Sequence, residues 1–443
     1  MDASTQQTPA QSPGSDPKTK RAHPALWVPS LYLAMGTPMI AVTVVSAIMY
    51  KNLGLSNAQI ALYTGSMYLP WVVKPLWAPI VEMFRTKKFF VLTMQLAMMV
   101  TLGCVALALP LGDYLPWTIA FFWITGFASA TQDIAADGVY ISSMDHKEQA
   151  LYVGIQGIFW NLGRVISSGL LVTFTGILHS DMKLDWVHAW MVVMGILAAF
   201  MGLAFVWHLK VLPTGGRAAD TPANVTEALG TFTDAFVSFF RKKSIWMMIA
   251  MAYFYRFGEG FIDKIGPLFL LDSRDLGGLG LNNVQLGNIN GTYGTVAFIV
   301  GALVGGLFSA RLGLRRSFFF LVVALNIPHV TYLYLSQFLP ESLWAISIAV
   351  TIEKFGYGFG SVGHMLYMMQ QMAPGPYKTA HYAFATGIMG LCMMSTGMVS
   401  GALQEWLGYQ TFFIFAMVVS LIPMVMAWNA RFPVSEGEDK PVD

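Results

Sequence analysis

Charged residues are scarce in this chain of 443 residues. Asp, Glu, Lys and Arg together make up 11% of it, whereas an ordinary soluble domain has about 25%. A soluble chain of this length needs a charged surface on each of its domains, and 26 Lys and Arg with 24 Asp and Glu are too few to provide one. The net charge of +2 also gives no basic surface for nucleic acid. The composition therefore predicts a protein folded in a bilayer, without a nucleic-acid partner.

Cysteine is almost missing as well. Cys104 and Cys392 are the only two, and each lies within an apolar run. A disulfide framework or a cysteine metal site would need several cysteines with polar flanks. The sequence also has no nucleophile–base pattern and no phosphate-binding glycine loop. These absences argue against a membrane enzyme, and we expect neither a metal nor an organic cofactor.

Apolar residues make up 55% of the chain and fall into long stretches separated by short polar or Gly/Pro-containing breaks. A helix of about 20 residues crosses the roughly 30 Å hydrocarbon core of a bilayer. The sequence therefore predicts an all-α integral membrane protein with twelve transmembrane helices. The predicted spans are 25–50, 57–80, 88–109, 115–143, 149–178, 186–209, 244–272, 285–310, 316–338, 342–372, 378–404 and 409–429.

The longest break, 210–243, divides these spans into two six-helix halves of nearly equal length, 25–209 and 244–429. Equal halves joined by a linker are typical of a duplicated unit. We interpret 1–24, which lacks the apolar segment of a signal peptide, as a disordered tail and 430–443 as a second tail. The linker is predicted to contain an amphipathic helix on the membrane surface, because apolar residues recur there at helical spacing: Val225, Leu229, Phe232, Phe236 and Phe240.

The cations predict the orientation of the chain. Lys and Arg near the ends of spans are retained on the cytoplasmic side during insertion. If the N-terminus is cytoplasmic, Lys51, Lys183 and Arg274 are the only loop cations on the outer side. We therefore expect both termini in the cytoplasm.

Ionisable residues within the spans are the candidates for function. Each costs about 2.5–3.5 kcal/mol near the bilayer centre on insertion scales, so a chain keeps them only where pairing or function offsets that cost. The acids are as numerous as the bases. They are Asp133, Asp137, Glu259, Asp263 and Glu353 against Lys74, Arg164, Arg256, Lys264 and Lys354.

Asp133 and Asp137 are four residues apart in the fourth span and so lie on one helical face. Two neighbouring carboxylates repel each other, which favours protonation of one of them, as a proton-coupled transporter requires. In the alternative interpretation both acids are structural and pair with Arg164 or Lys74. The two interpretations are compatible.

The seventh span contains Arg256, Glu259, Asp263 and Lys264 within one arc of its surface. This arrangement indicates a helix that lines a water-filled cavity. Alternatively, Asp263 and Lys264 lie near the outer end of the span and are simply solvated.

Arg164 is always charged, so it can hold a carboxylate or phosphate but cannot release a proton. We interpret it as an anion anchor. Trp71, Trp123 and Trp160 could stack on sugar rings, although tryptophan in membrane helices more often serves in packing or at the interface.

Three motifs resemble one family. Gln132–Asp137 reads QDIAAD, Tyr255–Glu259 reads YRFGE, and Glu353–Gly360 reads EKFGYGFG. Together with the predicted arrangement of two six-helix halves, they resemble the major facilitator superfamily and, within it, the AmpG-type muropeptide permeases and the related acetyl-coenzyme A transporters and ferric-siderophore permeases. The resemblance implies a proton-driven importer on the bacterial inner membrane. For the AmpG type it implies anhydro-muropeptide as the small-molecule substrate.

These expectations assign roles to residues. Proton coupling is assigned to Asp133, Asp137, Glu259 and Glu353, with the proton gradient as the energy source. Substrate binding is assigned to Arg164, Arg256, Lys74, Gln132, Asn161, Trp160, Trp123, Trp71 and Tyr255. We expect a monomer surrounded by lipid. A ferric siderophore or an acyl-coenzyme A is the alternative solute, and a membrane sensor that transports nothing is the alternative of another class.

Overall fold

The computed structural model describes residues 22–78, 81, 85–215 and 225–434. Most of the two predicted tails and part of the linker, at 1–21, 216–224 and 435–443, lie outside the described residues. All regular elements of the described part are helices.

The helices of the first half have the following bounds: α1 Pro24–Asn52, α2 Asn57–Ser66, α3 Leu69–Val73, α4 Lys87–Ala108, α5 Tyr114–Ser143, α6 His146–Arg164 continued through Val165–Leu171 and Val172–Ser180, and α7 Trp186–Val211. Local sequence favours two of the starts. Ser56 with Gln59 and Asp145 with Glu148 form capping boxes at the first turns of α2 and α6.

The linker contains α8, Val225–Phe240. The second half comprises α9 Ile245–Phe254, α10 Phe257–Leu271, α11 Asn283–Leu312, α12 Leu314–Phe338, α13 Leu343–Tyr367 continued through Met368–Met372, α14 Lys378–Val419, and α15 Leu421–Trp428. The aromatic rings of Phe232, Phe236 and Phe239 on α8 contact Phe384 of α14, so the linker helix packs against the second half.

Seven helical stretches of the described residues are long and apolar enough to cross a membrane. They are Pro24–Asn52, Lys87–Ala108, Gly154–Ser180, Trp186–Val211, Asn283–Leu312, Leu314–Phe338 and Lys378–Trp428. The chain is therefore an all-helical, multi-pass membrane protein.

Several predicted spans are interrupted rather than straight. Between α2 and α3 the helix stops at Met67, and α3 gives way to a 3₁₀ turn, Lys74–Leu76, that contains Pro75. Between α9 and α10, Arg256 has non-helical dihedral angles. Within α14, Gly408 has φ +72°, a left-handed value that favours glycine, and it falls at the boundary of the last two predicted spans.

Four π-helical segments occur within the long helices: Ala41–Val45, Val165–Leu171, Gly287–Tyr293 and Met368–Met372. Such segments are frequent at functional sites. The second and third of them, on α6 and α11, pack against each other. Their backbones meet directly, because a Cβ atom placed on Gly291 would lie 2.2 Å from the carbonyl oxygen of Ser168 and 2.5 Å from Cα of Gly169.

The helices form two bundles. In the first half α4 packs between α5 and α7, and α1 packs against α6. In the second half α13 packs between α11 and α12, and α10 packs against α14. The bundles meet where α2 contacts α14 and where the π-helical segments of α6 and α11 contact each other.

A polar network joins the halves at one end of the bundle, which we call the closed end. Lys51 at the end of α1 lies 2.5 Å from Asp272 at the end of α10. The amide nitrogen of Asn57 lies within hydrogen-bonding distance of Asp272, Gln404 and Tyr409, at 3.1, 2.7 and 2.8 Å. These contacts bind the first half to the second at its rim.

Lys264 extends this connection deeper into the bundle. Its ammonium nitrogen, on α10 of the second half, donates to Thr64 Oγ1 at 2.9 Å and to the carbonyl oxygen of Thr43 at 3.3 Å, both in the first half. Thr43 lies in the π-helical segment of α1. A buried ammonium is thus satisfied by acceptors that the opposite half supplies.

The opposite end of the bundle has a large cavity. Its volume is about 950 Å³, and it opens between the far ends of α11, α13 and α14. Ser309, Gln370, Gln371, Thr379 and Tyr382 are among its lining residues. The lining residues belong to the second half, with Val434 following it, so this cavity lies within one half and the closed end lies between the two.

We expect Gly291→Ala to destabilise the protein. The added methyl group would meet backbone atoms that cannot move aside alone, and overpacking of this kind costs about 1–3 kcal/mol. The midpoint of thermal unfolding in detergent should fall. Gly306→Ala on the same helix is the matched control, since a Cβ there meets no heavy atom within 4 Å. An equal loss in both variants would contradict the close contact.

We expect Thr64→Val to loosen the closed end, because the isosteric side chain removes an acceptor from the buried Lys264 ammonium. Hydrogen bonds to charged groups are worth about 1.5–3 kcal/mol. Hydrogen exchange measured by mass spectrometry should accelerate in the peptide containing α2. The control is Thr386→Val, whose hydroxyl donates only within its own helix, to Ala383 O. Unchanged exchange in α2 would show that the Lys264 contact does not hold the halves together.

Candidate functional site

A small polar chamber lies between the two halves. Arg164 and Ser168 of α6 line it from the first half, and Asp263, Asn290 and Lys354 line it from the second. Phe298 adds an aromatic wall, and the Arg164 guanidinium carbon lies 5.8 Å from the centre of its ring. Charged groups from both halves therefore meet at the contact that would change if the halves moved.

Arg164 and Asp263 face each other across this contact. The closest guanidinium nitrogen and carboxylate oxygen are 3.9 Å apart, and the two side chains are 18% and 14% exposed. This distance is at the limit of an ion pair, so the guanidinium retains donors for another acceptor. The amide oxygen of Asn290, in the π-helical segment of α11, is buried and has no hydrogen-bond partner in the part of the chain that the structure describes.

Behind the chamber the second half contains a fully buried cluster of acids. Glu259 of α10 and Glu353 of α13 are both 0% exposed. His329 of α12 lies between Glu259 and Ser420: its Nε2 is 3.0 Å from Glu259 Oε2 and its Nδ1 is 2.8 Å from Ser420 Oγ. Among the described residues, Glu259 Oε1 and Glu353 Oε1 have no hydrogen-bond donor, and Glu353 Oε2 has only the ammonium of Lys354, 3.0 Å away. Such groups are costly to bury unless a charge or a proton compensates them.

Lys354 supplies the compensating charge. Its ammonium nitrogen is 3.0 Å from Glu353 Oε2 and 3.9 Å from Glu259 Oε1, so one cation serves two carboxylates. The lysine stem passes over Gly294, where a Cβ would lie 3.1 Å from Lys354 Cγ. Lys354 also lines the chamber that contains Asp263 and Arg164. It is therefore the side chain that connects the buried acids with the contact between the halves.

The cluster has donor atoms of the kind that bind metals. Single donor atoms of Glu259, His329 and Glu353 all lie within 4.8 Å of one another. The ammonium of Lys354, however, is 3.0 Å from Glu353 and would repel a metal cation. The residues therefore fit a proton shared among buried carboxylates better than a metal ion.

The two acids of the fourth predicted span have separate partners. Asp133 pairs with Lys74 at 2.6 Å, and Asp137 accepts a hydrogen bond of 2.9 Å from the hydroxyl of Tyr32 on α1. Both contacts lie within the first half, and Arg164 is not their partner. Gln132 is fully buried and donates to the carbonyl oxygen of Ala34, which ties α5 to α1.

Arg256 and Tyr255 lie in the break between α9 and α10. Arg256 donates to the hydroxyl of Tyr357, and its guanidinium carbon lies 4.8 Å from the centre of the Tyr357 ring. Tyr255 is buried, donates to Gly360 O and stacks on His364. Arg256 thus belongs to the polar face of α10, whereas Tyr255 packs within the second half.

The remaining candidates for substrate binding are spread over the first half. Trp71 and Trp160 are partly buried and pack against hydrophobic clusters. Trp123 stacks on Phe127 at a ring distance of 5.9 Å. Asn161 donates to Gly157 O of its own helix, and its amide oxygen is buried without a partner. Of the residues assigned to the substrate, only Arg164 lines the small chamber between the halves.

Asp263 and Lys264 are not solvated at an outer end. Asp263 faces Arg164, and Lys264 is 5% exposed and bonded to the opposite half. His329, Asn290 and Tyr32 were not among the sequence-derived candidates. A single histidine within an apolar stretch, next to Pro328, was the signal in the sequence that could have identified His329.

Comparison with known proteins agrees with this architecture. The Major Facilitator Superfamily model matches residues 30–399. The anhydromuropeptide permease of Escherichia coli (strain K12) is 22% identical over 390 residues, 86% of this chain and 74% of its own. The AmpG 4 transporter of Rickettsia conorii is 22% identical over 404 residues, 88% of this chain and 92% of its own.

Solved structures show the same fold. A D-xylose–proton symporter superposes with a TM-score of 0.72 at 12% identity, covering 94% of this chain and 99% of its own. The nucleoside transporter NupG gives a TM-score of 0.67 at 16% identity, covering 91% of this chain and 97% of its own. The family is one of transporters and not of enzymes. With two helical bundles, charged groups at their contact and a family match over most of its length, the chain belongs to the major facilitator superfamily and is similar to its AmpG-type permeases.

Proposed function

We propose that this protein is a proton-coupled secondary transporter that imports an anhydro-muropeptide, or a related amino-sugar fragment of the cell wall, across the bacterial inner membrane. The observation that carries the proposal is the pair of buried carboxylates, Glu259 and Glu353, that share a single ammonium next to a chamber lined by Arg164. The name of the similar Escherichia coli protein supports the substrate.

The chamber fits an anionic group of the substrate. Muropeptides carry carboxylates, and a guanidinium binds a carboxylate through two parallel hydrogen bonds. The nearest acid is 3.9 Å from Arg164, which leaves guanidinium donors for the substrate, so we assign Arg164 as the anchor of that carboxylate. Arg256, Lys74 and the tryptophans of the first half are further proposed contacts.

The buried acids fit a proton. Two carboxylates within 4.8 Å of each other and one lysine leave a net negative charge unless a proton is bound. We assign the proton to Glu259 and Glu353, with Asp133 and Asp137 as the alternative carriers in the first half. Because Asp133 already has Lys74 at 2.6 Å, its charge is balanced without a proton.

We further propose twelve spans with both termini in the cytoplasm. In that orientation the closed end, with Lys51 and Asp272, faces the periplasm, and the cavity of about 950 Å³ opens to the cytoplasm. The contacts between the halves at the closed end fit a state that is shut on the periplasmic side, and rocking of the halves around the chamber would open that side.

Uptake into proteoliposomes tests the function. We expect labelled N-acetylglucosaminyl-anhydro-N-acetylmuramyl peptide to accumulate when the outside is acidic relative to the lumen, and only to equilibrate without the gradient. Uptake that ignores the gradient would exclude proton coupling. A labelled ferric siderophore or acyl-coenzyme A that accumulates in place of the muropeptide would exclude the proposed substrate.

Arg164→Gln should reduce this uptake by roughly tenfold or more, because a hydrogen bond to a charged group is worth about 1.5–3 kcal/mol. Arg256→Gln tests the second proposed cation in the same assay.

Asp133→Asn distinguishes the two roles of that acid. Loss of accumulation with retained exchange would favour a proton carrier, whereas loss of folded protein would favour the ion pair with Lys74.

Labelling of single cysteines tests the topology. In a variant with Cys104→Ser and Cys392→Ala, an impermeant maleimide applied to spheroplasts should label Met182→Cys and Leu276→Cys, which are exposed at the closed end. Lys210→Cys, exposed at the opposite end of α7, should react only after lysis. The reverse pattern would invert the proposed orientation.

A further inference from the structure

Lys354 occupies a position that neither the packing of α13 nor the pairing of Glu353 explains by itself. A lysine that only neutralised Glu353 would not need to reach the contact between the halves. Lys354 nevertheless has its ammonium beside the two buried acids and lines the chamber that holds Asp263 and Arg164. One flexible cation thus lies among three carboxylates.

The chamber next to the lysine has a volume of about 20 Å³, which is enough for one water molecule or for a short shift of the ammonium. The Cγ atom of Lys354 lies above Gly294, where no side chain occupies the space, and the small cavity begins next to it. Lysine is a compact charge on a flexible stem, in contrast to the planar guanidinium of arginine. A short displacement of the ammonium away from the glutamates directs it to the chamber that Asp263 lines.

We propose that Lys354 is the positioning residue that couples proton occupancy of the Glu259–Glu353 pair to the ion pair between Arg164 and Asp263, and hence to substrate binding and to opening of the closed end. The proposal rests on the proton coupling proposed above. It concerns how a change of charge at Glu259 and Glu353 affects the ion pair between Arg164 and Asp263. It assigns Lys354 a role that differs from that of a proton carrier.

The coupling follows from the charges. Without a bound proton, two carboxylates retain the Lys354 ammonium, and Asp263 has Arg164 as its partner in the opposite half. A bound proton removes one of the two negative charges, which weakens the hold on the ammonium. Lys354 then moves to Asp263, and Arg164 is released from the second half.

Two consequences follow from the release of Arg164. Its guanidinium becomes available to a substrate carboxylate, so proton binding and anion binding favour each other. The contact between the halves also loses its central ion pair, so the closed end opens more readily. A bound proton thus favours both substrate binding and opening of the closed end, as an importer driven by external protons requires.

Other charged and titratable groups face this cluster from the packed helices. They are Arg256, Asp263 and Lys264 on α10, His329 and Tyr332 on α12, Tyr357 on α13, Arg164 on α6, and Tyr68 between α2 and α3. Arg256 donates to Tyr357, and Lys264 bonds to the first half. None of the Lys and Arg residues in this group lies within 4 Å of both Glu259 and Glu353, as Lys354 does.

The distance across the closed end tests the proposal without any substrate. Spin labels are attached at Met182→Cys and Leu276→Cys in the variant with Cys104→Ser and Cys392→Ala. Pulsed electron–electron double resonance then measures the distance between the two labels across the closed end. In the otherwise unchanged protein we expect the fraction of molecules with a separated closed end to rise by about threefold or more between about pH 8 and pH 6, since one linked proton permits up to tenfold per unit.

Lys354→Met should remove this dependence on pH, because the ammonium that lies beside both glutamates and lines the chamber of Asp263 is gone. Asp263→Asn should give a separated closed end at both pH values, since Arg164 has lost its partner. Lys264→Met is the matched control: it should raise the separated fraction while leaving its dependence on pH in place. Retained pH dependence in Lys354→Met overturns the proposal.

A second variant carries the test if Lys354→Met does not fold. Glu353→Gln imitates the protonated pair and should show at about pH 8 the distances that the parent shows at about pH 6. Distances of the parent that do not change with pH would also overturn the proposal. Because the assay contains no substrate, failure of muropeptide uptake would leave its result unaffected, so the two proposals fail separately.

The affinity for substrate provides an independent readout. If muropeptide binds, its dissociation constant should decrease as the pH is lowered in the parent. In Lys354→Met it should not change with pH. A lysine with only a structural role would change the amount of folded protein but leave the pH profile of the remaining molecules as in the parent. That outcome would count against coupling through Lys354.

Discussion

Ionisable side chains inside this bundle must neutralise one another, because the surrounding bilayer provides no water to solvate them. The arrangement of the helices follows from that constraint. Lys74 pairs with Asp133 within the first half, and Lys354 pairs with Glu353 within the second. Arg164 has its nearest acid, Asp263, in the opposite half. The balance of charge is therefore mostly local in each bundle, and it is shared between the halves at the chamber and, through Lys51 and Asp272, at the closed end.

This division explains why the halves can be separate bodies and still influence each other. The bundles meet both through a cluster of buried apolar residues that extends across the two halves and through polar contacts, such as those of Asn57 and Lys264. Polar contacts can be exchanged for water or for a substrate at small net cost. Interdigitated apolar side chains would resist such an exchange. The polar part of the contact between the halves is thus the part suited to being broken and restored.

The sequence predicted the all-helical membrane fold, because apolar stretches of sufficient length have few other solutions. It also indicated Glu259, Glu353 and Arg164 as candidates for function, since charges inside apolar stretches are conspicuous. It did not predict which charges pair. Asp133 and Asp137 are neighbours on one helix, but their partners Lys74 and Tyr32 are set by how α5 packs against other helices.

Breaks within spans were equally difficult to predict. Tyr255 and Arg256 interrupt the seventh predicted span, and no proline or glycine stands at the break itself. His329 was overlooked because its significance depends on Glu259 and Ser420, which are distant in sequence. Pairing across helices is a property of the assembled bundle, and a pattern along one helix does not contain it.

Where the π-helical segments of α6 and α11 meet, Gly169 and Gly291 bring two backbones together without side chains between them. Joining surfaces elsewhere in a protein restricts the rotamers of the residues that meet, and each long side chain so fixed costs up to about 2 kcal/mol in entropy. At this contact the neighbouring side chains are short, such as Thr292 beside Gly169, and no long side chain lies between the two glycines. The two halves can therefore rejoin here at a small entropic cost. The glycine contact is thus suited to be the pivot of a motion that is repeated in every transport cycle.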